Sequence, residues 1–408
     1  MSYFSHVTTE QFPLANLGAF GDLEVQQLTP LVQLSFATGL RDQLTKTTVT
    51  NGGSASIANG RILLETSTAS NGTAKMYSVK PASYRPGQGL MLRYTPTWES
   101  AAANSTQYWG IGLEENGYFF GYFGTSFGIM HRINSVDYFT AQISWNGDRC
   151  DGTNSINNPS GFNWNTANGI PMMIKYPYLG HGHITFWVLN PNTGTWILCH
   201  MIKYANTSPL PQLTNPNLHI YGELKNNGST TNKKSYLTCA AVLLDGPREY
   251  LGPQFGVESG TKTITTENNM LTLKSCTYIN TYLNEGLIRL RSISACYDSQ
   301  GAGNAVLRVK KNATLGGSPS FTPVNGSTAD QGVTLTSANS IMSYDIAGTT
   351  VTGGITLYNA TFARQNSFTM DLTPLNIVLE DGDTLTFSMS TSSSGVCTVA
   401  VNWQEDVQ

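Results

Sequence analysis

The sequence predicts an all-β protein built from two tandem antiparallel β-sandwiches of the jelly-roll type, preceded by an extended N-terminal arm. Charged residues make up only 12% of the 408 residues, against about 25% in typical soluble proteins. The 40 glycines and 17 prolines favour turns, and the 19 tyrosines favour strands. Short runs with alternating polarity recur between these turn signals, and no convincing helical pattern competes with them. Together these observations favour packed antiparallel sheets.

The segment ENGYFFGYFGTSFGIMHRI, residues 115–133, illustrates the preference for strands. Each interior glycine would cost a helix roughly 0.5–1 kcal/mol relative to alanine. In an extended chain, successive rings point to opposite faces. One face then carries Phe119, Gly121 and Phe123, and the other carries Tyr118, Phe120 and Tyr122. A turn at residues 124–126 would bring back a second strand, with Phe127, Ile129 and His131 on one face. A strand with rings on both faces is expected in the middle of a sandwich, covered on both sides.

Residues 1–30 lack clear strand alternation and are predicted to form the arm. The first sandwich, concanavalin-like or jelly-roll-like, is predicted over residues 31–245, where nine or more strand-like runs follow one another. Its tightest hairpin is predicted at PNTG, residues 191–194, because alternating runs flank it on both sides.

Residues 246–260 contain four glycines and two prolines and are predicted to link the two sandwiches. A second antiparallel sandwich follows over residues 261–408. Its clearest strand is LIRLRSISACY, residues 287–297. Regular alternation there places Ile288 and Leu290 on one face, and Ile293 and Ala295 on the other.

Charge and apolar patterning narrow the possible partners. The 23 basic and 26 acidic residues include no basic run, so nucleic acid is not an expected partner. No stretch of 18 apolar residues predicts a membrane span, and the N-terminus does not match a secretory signal. The six cysteines are far apart and are expected to be reduced and structural, as in a protein assembled inside a cell.

Metal sites were sought among histidines and acidic loops. His181 and His183 would share a strand face, with His200 or His219 as a third ligand, but the Gly-His-Gly sequence favours ordinary turn histidines. The loop NGDRCDGTN, residues 146–154, is rich in oxygen donors yet lacks the regular spacing of a calcium loop. No metal and no other cofactor is predicted.

Catalytic carboxylates were also considered, because glycoside hydrolysis needs two of them flanking one bond. Glu114 and Glu115 are adjacent, so they would point to opposite faces of a strand. No nucleophile motif of a serine or cysteine hydrolase occurs. The sequence therefore predicts no catalytic residue, although a polysaccharide-degrading enzyme remains as a third alternative.

Four aromatic residues flank the long, Asn-rich loop region over residues 146–169. They are Trp145, Trp164, Tyr176 and Tyr178. Exposed rings beside Asn and Asp side chains would suit a glycan, through apolar stacking combined with hydrogen bonds. The alternative is that the rings belong to the sandwich core and the loop faces water. The four residues are the sequence's candidates for glycan binding.

Several segments resemble virion proteins of large double-stranded DNA viruses of aquatic hosts, with similar pieces in tailed phages. They include YRPGQGLMLRYTPTW at 84–98, the Gly-aromatic segment at 115–133, LIRLRSISACY, and LNIVLEDGDTLTFSMSTSSSGVCTVAVNWQED at 375–406. The resemblance covers about residues 30–408. It implies a minor capsid, vertex or fibre component, sometimes attaching to host glycans, and it implies no catalytic residue.

The sequence thus predicts a structural virion protein that acts through protein–protein interfaces. The second hypothesis is a carbohydrate-binding host-attachment protein. Expected partners are other virion proteins and further copies of the chain, with a trimer favoured over a dimer. A host surface glycan is a possible further partner. Localisation in the virion, after synthesis and assembly in the host cell, follows from the same hypothesis. The apolar arm is expected to bury against a neighbouring subunit or the first sandwich.

Overall fold

The computed structural model confirms an all-β fold of antiparallel sheets. It describes residues 27–247, 252–279, 282–284, 287–298, 303–325, 339–364, 366–373, 377, 379 and 382–406. In these ranges the chain divides into two compact units near residue 248, with residues 79–83 assigned to the second unit. Among the same residues, no helix is long and apolar enough to cross a membrane.

The first unit contains two large sheets. Its strands are β1 (Leu28–Ser35), β2 (Thr45–Thr50), β3 (Ser54–Ala58), β4 (Arg61–Glu65), β5 (Thr73–Ser78), β6 (Leu90–Trp98), β7 (Ser105–Gly112), β8 (Gly117–Phe123), β9 (Ser126–Ile133), β10 (Val136–Ala141), β11 (Met172–Tyr176), β12 (Ile184–Leu189), β13 (Trp196–Ile202), β14 (His219–Asn226) and β15 (Lys234–Asp245). A 3₁₀ turn, Gln142–Ser144, follows β10. Sheet A has the order β13-β12-β11-β6-β15-β4-β3, and β1 also pairs with β15. Sheet B has the order β10-β9-β8-β7-β14-β5-β2.

Sheets A and B pack face to face through large side chains. Phe120 of β8 meets Phe186 of β12 with ring centroids 5.3 Å apart. The Trp109 indole donates a hydrogen bond to Ser235 Oγ across the interface, at 2.6 Å. Tyr94 OH in turn donates to the Trp109 carbonyl at 3.2 Å. Some of the aromatic side chains in the sandwich core therefore bond across the two sheets through their polar atoms.

The predicted aromatic hairpin is confirmed as β8 and β9. Phe123 pairs with Ser126 across a two-residue turn, and Gly124 there has a φ of +60°, which favours glycine. Both Phe119 and Phe120 are fully buried although they point to opposite faces of the strand. The hairpin predicted at residues 191–194 is also present, between β12 and β13.

Residues 1–26 of the predicted arm lie outside the described residues. Its last three residues are not an arm but the start of β1, which pairs with β15 from Leu28↔Asp245 onwards. The register shifts between Pro30 and Val32. Such an irregularity accommodates a proline that cannot donate a ladder hydrogen bond.

The second unit contains two further sheets. Its strands are β16 (Gln254–Glu258), β17 (Lys262–Ile264), β18 (Asn268–Ser275), β19 (Tyr278–Ile279), β20 (Tyr282–Leu283), β21 (Leu287–Asp298), β22 (Asn304–Lys311), β23 (Thr314–Leu315), β24 (Thr322–Pro323), β25 (Met342–Asp345), β26 (Val351–Thr352), β27 (Ile355–Ala363), β28 (Asn366–Asp371), β29 (Thr384–Thr391) and β30 (Gly395–Asp406). One sheet has the order β16-β30-β21-β28, with β17 also on β30, and the other β24-β25-β18-β29-β22-β27. Small ladders join β19 to β20 and β23 to β26.

The second half of the predicted linker belongs to this unit. Residues 254–258 form β16 and pair with β30. Phe255 of β16 lies with its ring centroid 6.2 Å from that of Trp403, which is fully buried. Alternation of Phe255 and Val257 provides the apolar face that holds this strand in place.

Regular alternation along β21 is interrupted by a β-bulge. The register against β30 shifts between Leu290 and Ser292, so Arg291 is the extra residue. Ile288 and Leu290 are buried before the bulge, and Ile293 and Ala295 are buried after it. The extra residue switches the face to which the following side chains point. Ile288 and Leu290, predicted on one face, and Ile293 and Ala295, predicted on the other, therefore all lie in the same core.

Candidate functional site

Four tyrosines gather at one end of the first sandwich and are named here the tyrosine cluster: Tyr84, Tyr118, Tyr176 and Tyr178. Tyr118 comes from β8 and Tyr176 ends β11, and their ring centroids are 5.4 Å apart. Tyr178 lies two residues beyond, 5.3 Å from Tyr176 and 5.1 Å from Tyr84. All four rings are buried. The cluster therefore combines a ring of sheet B, Tyr118, with a ring of sheet A, Tyr176.

His131 extends the cluster along sheet B. It pairs with Tyr118 between β9 and β8, and the two rings stack with centroids 4.9 Å apart and planes 19° apart. Its imidazole also lies 6.1 Å from the ring of Tyr138, on the edge strand β10. Tyr138 is 55% exposed. A continuous line of rings therefore leads from the buried cluster to the surface.

Several polar atoms of this region are buried without a hydrogen-bond partner. They are Tyr118 OH, Tyr176 OH, His131 Nε2 and both side-chain amide atoms of Gln212. A buried polar group without a partner typically costs about 1–3 kcal/mol, and native proteins contain few such groups. Finding four side chains with this property in one region marks it as a place that can accept hydrogen bonds from, or donate them to, a bound molecule.

Two loops close over the tyrosine cluster through hydrogen bonds. Tyr178 OH donates to the Leu213 carbonyl at 2.6 Å, and Tyr84 OH accepts from the Leu179 amide at 3.0 Å. The backbone amide of Gln212 donates to the Gly180 carbonyl at 2.8 Å. The bonds of Tyr178 and Gln212 join residues 177–183 to residues 203–213, and the bond of Leu179 joins the first of these loops to Tyr84. The two loops form the roof of the cluster.

The roof exposes apolar side chains to solvent. Leu179 and Leu210 are each 68% exposed, and Leu179 adopts a φ of +42°, which is rare for a leucine. Tyr204 of the second loop is half-buried, and its hydroxyl donates to the Leu210 carbonyl at 3.1 Å. Its ring is 5.7 Å from that of His181. The roof loops therefore carry exposed aliphatic side chains together with an aromatic pair, Tyr204 and His181.

Burial keeps the polar groups of the cluster uncharged. Burial raises the pKa of Tyr118 and of Tyr176 well above the usual tyrosine value, so both hydroxyls stay protonated at neutral pH. Burial lowers the pKa of His131 to about 4, so its imidazole is neutral. These groups can exchange hydrogen bonds with a ligand, but they present no charge and no phenolate.

The structure separates the four aromatic residues that the sequence grouped as a glycan site. Tyr176 and Tyr178 belong to the tyrosine cluster. Trp145 and Trp164 lie elsewhere in the core, where Trp164 packs 4.9 Å from Phe127 and 5.8 Å from Phe120. None of the four is more than 8% exposed. The interpretation as exposed rings for sugar stacking is therefore wrong, and the other interpretation of the sequence, that the rings belong to the sandwich core, is confirmed.

The candidate metal ligands are not brought together. His200 Nδ1 accepts a hydrogen bond from the Asn146 amide at 3.2 Å. In the acidic loop, Asp148 accepts hydrogen bonds from the amides of Cys150 and Ser160, both at 2.8 Å. In the described part of the chain, no group of three or more His, Cys, Asp or Glu side chains is placed to hold a metal ion. The Asp148 carboxylate of this loop therefore accepts hydrogen bonds from the loop's own backbone amides.

A second polar arrangement lies on the outer face of sheet B. Arg132 donates to Asp137 Oδ1 at 2.6 Å and to Tyr108 OH at 2.7 Å. Tyr108 OH donates in turn to Glu223 Oε2 at 2.5 Å, and Tyr221 OH donates to the same oxygen at 2.8 Å. Arg132 and Glu223 are both buried. This outer-face network has satisfied hydrogen bonds, in contrast to the tyrosine cluster.

The sequence predicted neither arrangement as a whole, although it singled out Tyr176 and Tyr178 of the tyrosine cluster. The outer-face network has a weak signal, namely glycines at positions that share a face with bulky rings. Gly121 pairs with Tyr108, and Gly110 pairs with Phe119. The absent side chains leave room for neighbouring rings to lie across the sheet. The tyrosine cluster has no such signal, because Tyr84, Tyr118 and Tyr176 are distant in sequence.

Comparisons with known proteins find only distant similarity to solved structures. No family model and no curated protein matches the sequence. Among solved structures, a cellulose-induced protein, Cip1, is similar with 11% identity and a TM-score of 0.32, covering 52% of this chain and 96% of its own. Lectin UEA-II, solved with galactose, has 9% identity and a TM-score of 0.34, covering 53% and 100%. The carbohydrate recognition domain of Emp47p has 10% identity and a TM-score of 0.34, covering 54% and 97%.

Proposed function

We propose that this chain is a carbohydrate-binding attachment component of a virus particle, and that its first unit binds an uncharged glycan at the tyrosine cluster. The observation that carries the proposal is the set of buried, unpartnered polar atoms on Tyr118, Tyr176, His131 and Gln212. The assignment to a particle rests on the resemblance of the sequence to virion proteins.

A neutral sugar suits this chemistry better than a charged ligand. Sugar hydroxyls both donate and accept hydrogen bonds, and their C–H faces pack on aromatic rings. Tyr118 and Tyr176 offer protonated hydroxyls, and His131 offers a neutral imidazole. An anionic or cationic ligand would find no compensating charge among these groups, and burying an unpaired charge is costly.

Binding requires movement of the roof loops. The unpartnered atoms are buried, and hydrogen bonds at Tyr178, Leu179 and Gln212 hold the roof loops in place. Opening would exchange three such bonds for contacts with the ligand. Loops of this kind commonly open on the microsecond to millisecond timescale and close over a bound molecule.

The test is titration of the purified protein with neutral oligosaccharides, chosen from a glycan array and measured by calorimetry. Tyr118→Phe and Tyr176→Phe remove a hydroxyl while keeping the ring, and each should weaken binding about tenfold, the loss of one buried hydrogen bond. Tyr94→Phe is the matched control, since Tyr94 is buried but its hydroxyl bonds to Trp109 away from the cluster. Equal affinity of all variants, or no binding to any neutral glycan, would refute the proposal.

A second candidate function is structural, as a subunit of the particle shell or of a fibre. It is favoured by β10, the edge strand of sheet B among the described strands. Val136 of β10 is 52% exposed, and Ile143 just beyond it is 69% exposed. An apolar edge strand offers both unpaired backbone groups and apolar contacts to another copy of the chain.

The structural candidate predicts a homo-oligomer, with a trimer ahead of a dimer. Light scattering should give the mass of a trimer for the wild type and a smaller mass for Val136→Lys, which places a charge on the edge. Thr48→Lys, on the exposed strand β2 at the opposite edge of sheet B, is the control. Mass spectrometry of purified particles tests the virion location of the chain for both candidates.

A further inference from the structure

Two cysteines face each other at the start of the long loop in the first unit. Cys150 and Cys199 are both fully buried, and their sulfur atoms lie 3.9 Å apart. Cys199 belongs to β13, and Cys150 lies in the loop after the 3₁₀ turn. Both are free thiols in the structure.

Backbone hydrogen bonds hold the two segments side by side. The Gly147 amide donates to the Cys199 carbonyl at 3.0 Å, and the Asp148 amide donates to the Leu198 carbonyl at 2.9 Å. A Cβ at Gly147 would lie 2.3 Å from the Leu198 carbonyl oxygen, so the close approach depends on glycine. The proximity of the two sulfurs is therefore a consequence of the backbone and not of flexible side chains alone.

Hydrogen bonds also fix the backbone of Cys150, the cysteine that lies in the loop. Cys150 donates its amide to Asp148 Oδ1 at 2.8 Å and accepts from the Trp164 amide at 2.9 Å. A disulfide needs a sulfur–sulfur distance of about 2.05 Å, which is about 2 Å shorter than the present one. Rotation of the two side chains can supply much of this approach without unfolding the loop.

We propose that Cys150 and Cys199 are the site of an oxidative crosslink that locks the loop over residues 146–169 onto β13. The oxidant is a small-molecule disulfide such as oxidised glutathione. The thiolate of Cys150 attacks one glutathione sulfur, the glutathione S–S bond breaks, and one glutathione leaves as a thiol. The thiolate of Cys199 then attacks the Cys150 sulfur and releases the second glutathione, so two thiols are oxidised and one disulfide is reduced.

Burial makes this crosslink slow and dependent on loop opening. Burial, followed by the neighbouring thiol of Cys150, raises the pKa of Cys199 well above the usual cysteine value, so little thiolate is present in the closed state. The outer part of the loop is open to solvent, with Ile156 93% exposed. A reducing compartment would keep the pair as thiols, and an oxidising exterior would lock the loop. This inference does not depend on the proposed function.

The experiment incubates the full-length protein with oxidised glutathione, both folded and during refolding from denaturant. The protein is then denatured and alkylated with N-ethylmaleimide. Of the six cysteines, two should be protected and four labelled. The chain should be lighter by about 2 Da before labelling, the two hydrogens lost. Peptide mapping should show Cys150 joined to Cys199, and dithiothreitol should restore all labels.

Variants test whether the crosslink forms between Cys150 and Cys199 and not through other cysteines. Cys199→Ser should abolish the crosslink and leave glutathione attached to Cys150. The double variant Cys239→Ser, Cys296→Ser, at two exposed positions, should still form it. The crosslinked wild type should unfold at a temperature higher by on the order of 5 °C. Six labelled cysteines under both incubation conditions, or a crosslink through any other cysteine, would overturn the proposal.

Discussion

Tyr118 and His131 stack with ring centroids 4.9 Å apart, and neither the phenol hydroxyl nor the imidazole Nε2 has a hydrogen-bond partner. The pair combines a favourable ring contact with two unfavourable polar burials. Stacked rings contribute about 0.5–1.5 kcal/mol beyond their area, while each unpaired polar atom costs about 1–3 kcal/mol. The arrangement is therefore poor as a structural element and well suited to receiving hydrogen bonds.

Removing the Tyr118 hydroxyl should not destabilise the fold. Tyr118→Phe keeps the ring stacked and removes an unpaired polar atom, so the free energy of unfolding should be unchanged or higher by about 1 kcal/mol. Tyr178→Phe is the comparison, because Tyr178 OH donates to Leu213 and its loss should cost about 1–2 kcal/mol. Urea denaturation measures both. Equal destabilisation by the two changes would mean that the Tyr118 hydroxyl has a partner in solution.

His131 should make stability depend on pH below neutrality. Burial lowers its folded pKa to about 4, while the unfolded value is about 6.5. Between these values the unfolded chain binds more protons, so stability rises with pH and is lost as the pH falls from about 6.5 to about 4. The loss attributable to His131 is about 3 kcal/mol when complete.

Urea unfolding at pH 7 and pH 4.5 measures this dependence for the wild type and for His131→Gln. The variant should lose less stability on acidification than the wild type does. His183→Gln, an exposed position, serves as the control and should behave as the wild type. A wild-type pH dependence retained by His131→Gln would assign the effect to other groups.

Alternation and turn chemistry predicted the strands well where the strands are regular. The hairpin around Gly124 and the one at residues 191–194 both form as expected, because local residues determine them. The bulge at Arg291 escaped prediction, since a single inserted residue in β21 has no local signature and its effect depends on pairing with β30.

The candidate site was predicted only in part. Tyr176 and Tyr178 were named from the sequence together with Trp145 and Trp164, with exposed rings and core rings as the two alternatives, and the structure buries all four. Aromatic composition does not distinguish a ring that faces solvent from one that fills a core. The partners that make Tyr176 notable, above all Tyr118, come from another sheet, and only tertiary packing brings them together.

Glu223 should be important for stability through the outer-face network. It accepts hydrogen bonds from Tyr108 and Tyr221, and its carboxylate lies 4.0 Å from the buried guanidinium of Arg132. Glu223→Gln removes the negative charge and should cost about 2–3 kcal/mol, because hydrogen bonds to charged groups are the stronger ones. Glu114→Gln is the control, as Glu114 is mostly exposed in its ion pair with Lys75 and should cost less than about 0.5 kcal/mol. Thermal denaturation compares the two variants. Equal destabilisation by Glu223→Gln and Glu114→Gln would contradict a special role for Glu223.

Gly121 should tolerate no side chain, because the neighbouring strand occupies the space that a Cβ would need. A Cβ there would lie 2.0 Å from the Gln107 carbonyl oxygen and 2.6 Å from Tyr108 Cα, both of which are backbone atoms of the neighbouring strand. Neither can move without breaking the pairing of β7 with β8. Gly121→Ala should therefore lower the free energy of unfolding by at least about 3 kcal/mol, above the usual cost of overpacking.

Gly169→Ala is the matched control for Gly121→Ala. Its new Cβ would meet only methyl groups of Thr97 and Thr95, at 3.6 and 3.7 Å, which are ordinary contacts. Its cost should stay below about 0.5 kcal/mol. Urea denaturation of both variants gives the comparison directly. If Gly121→Ala is as stable as Gly169→Ala, strands β7 and β8 do not approach each other in solution as closely as these distances require.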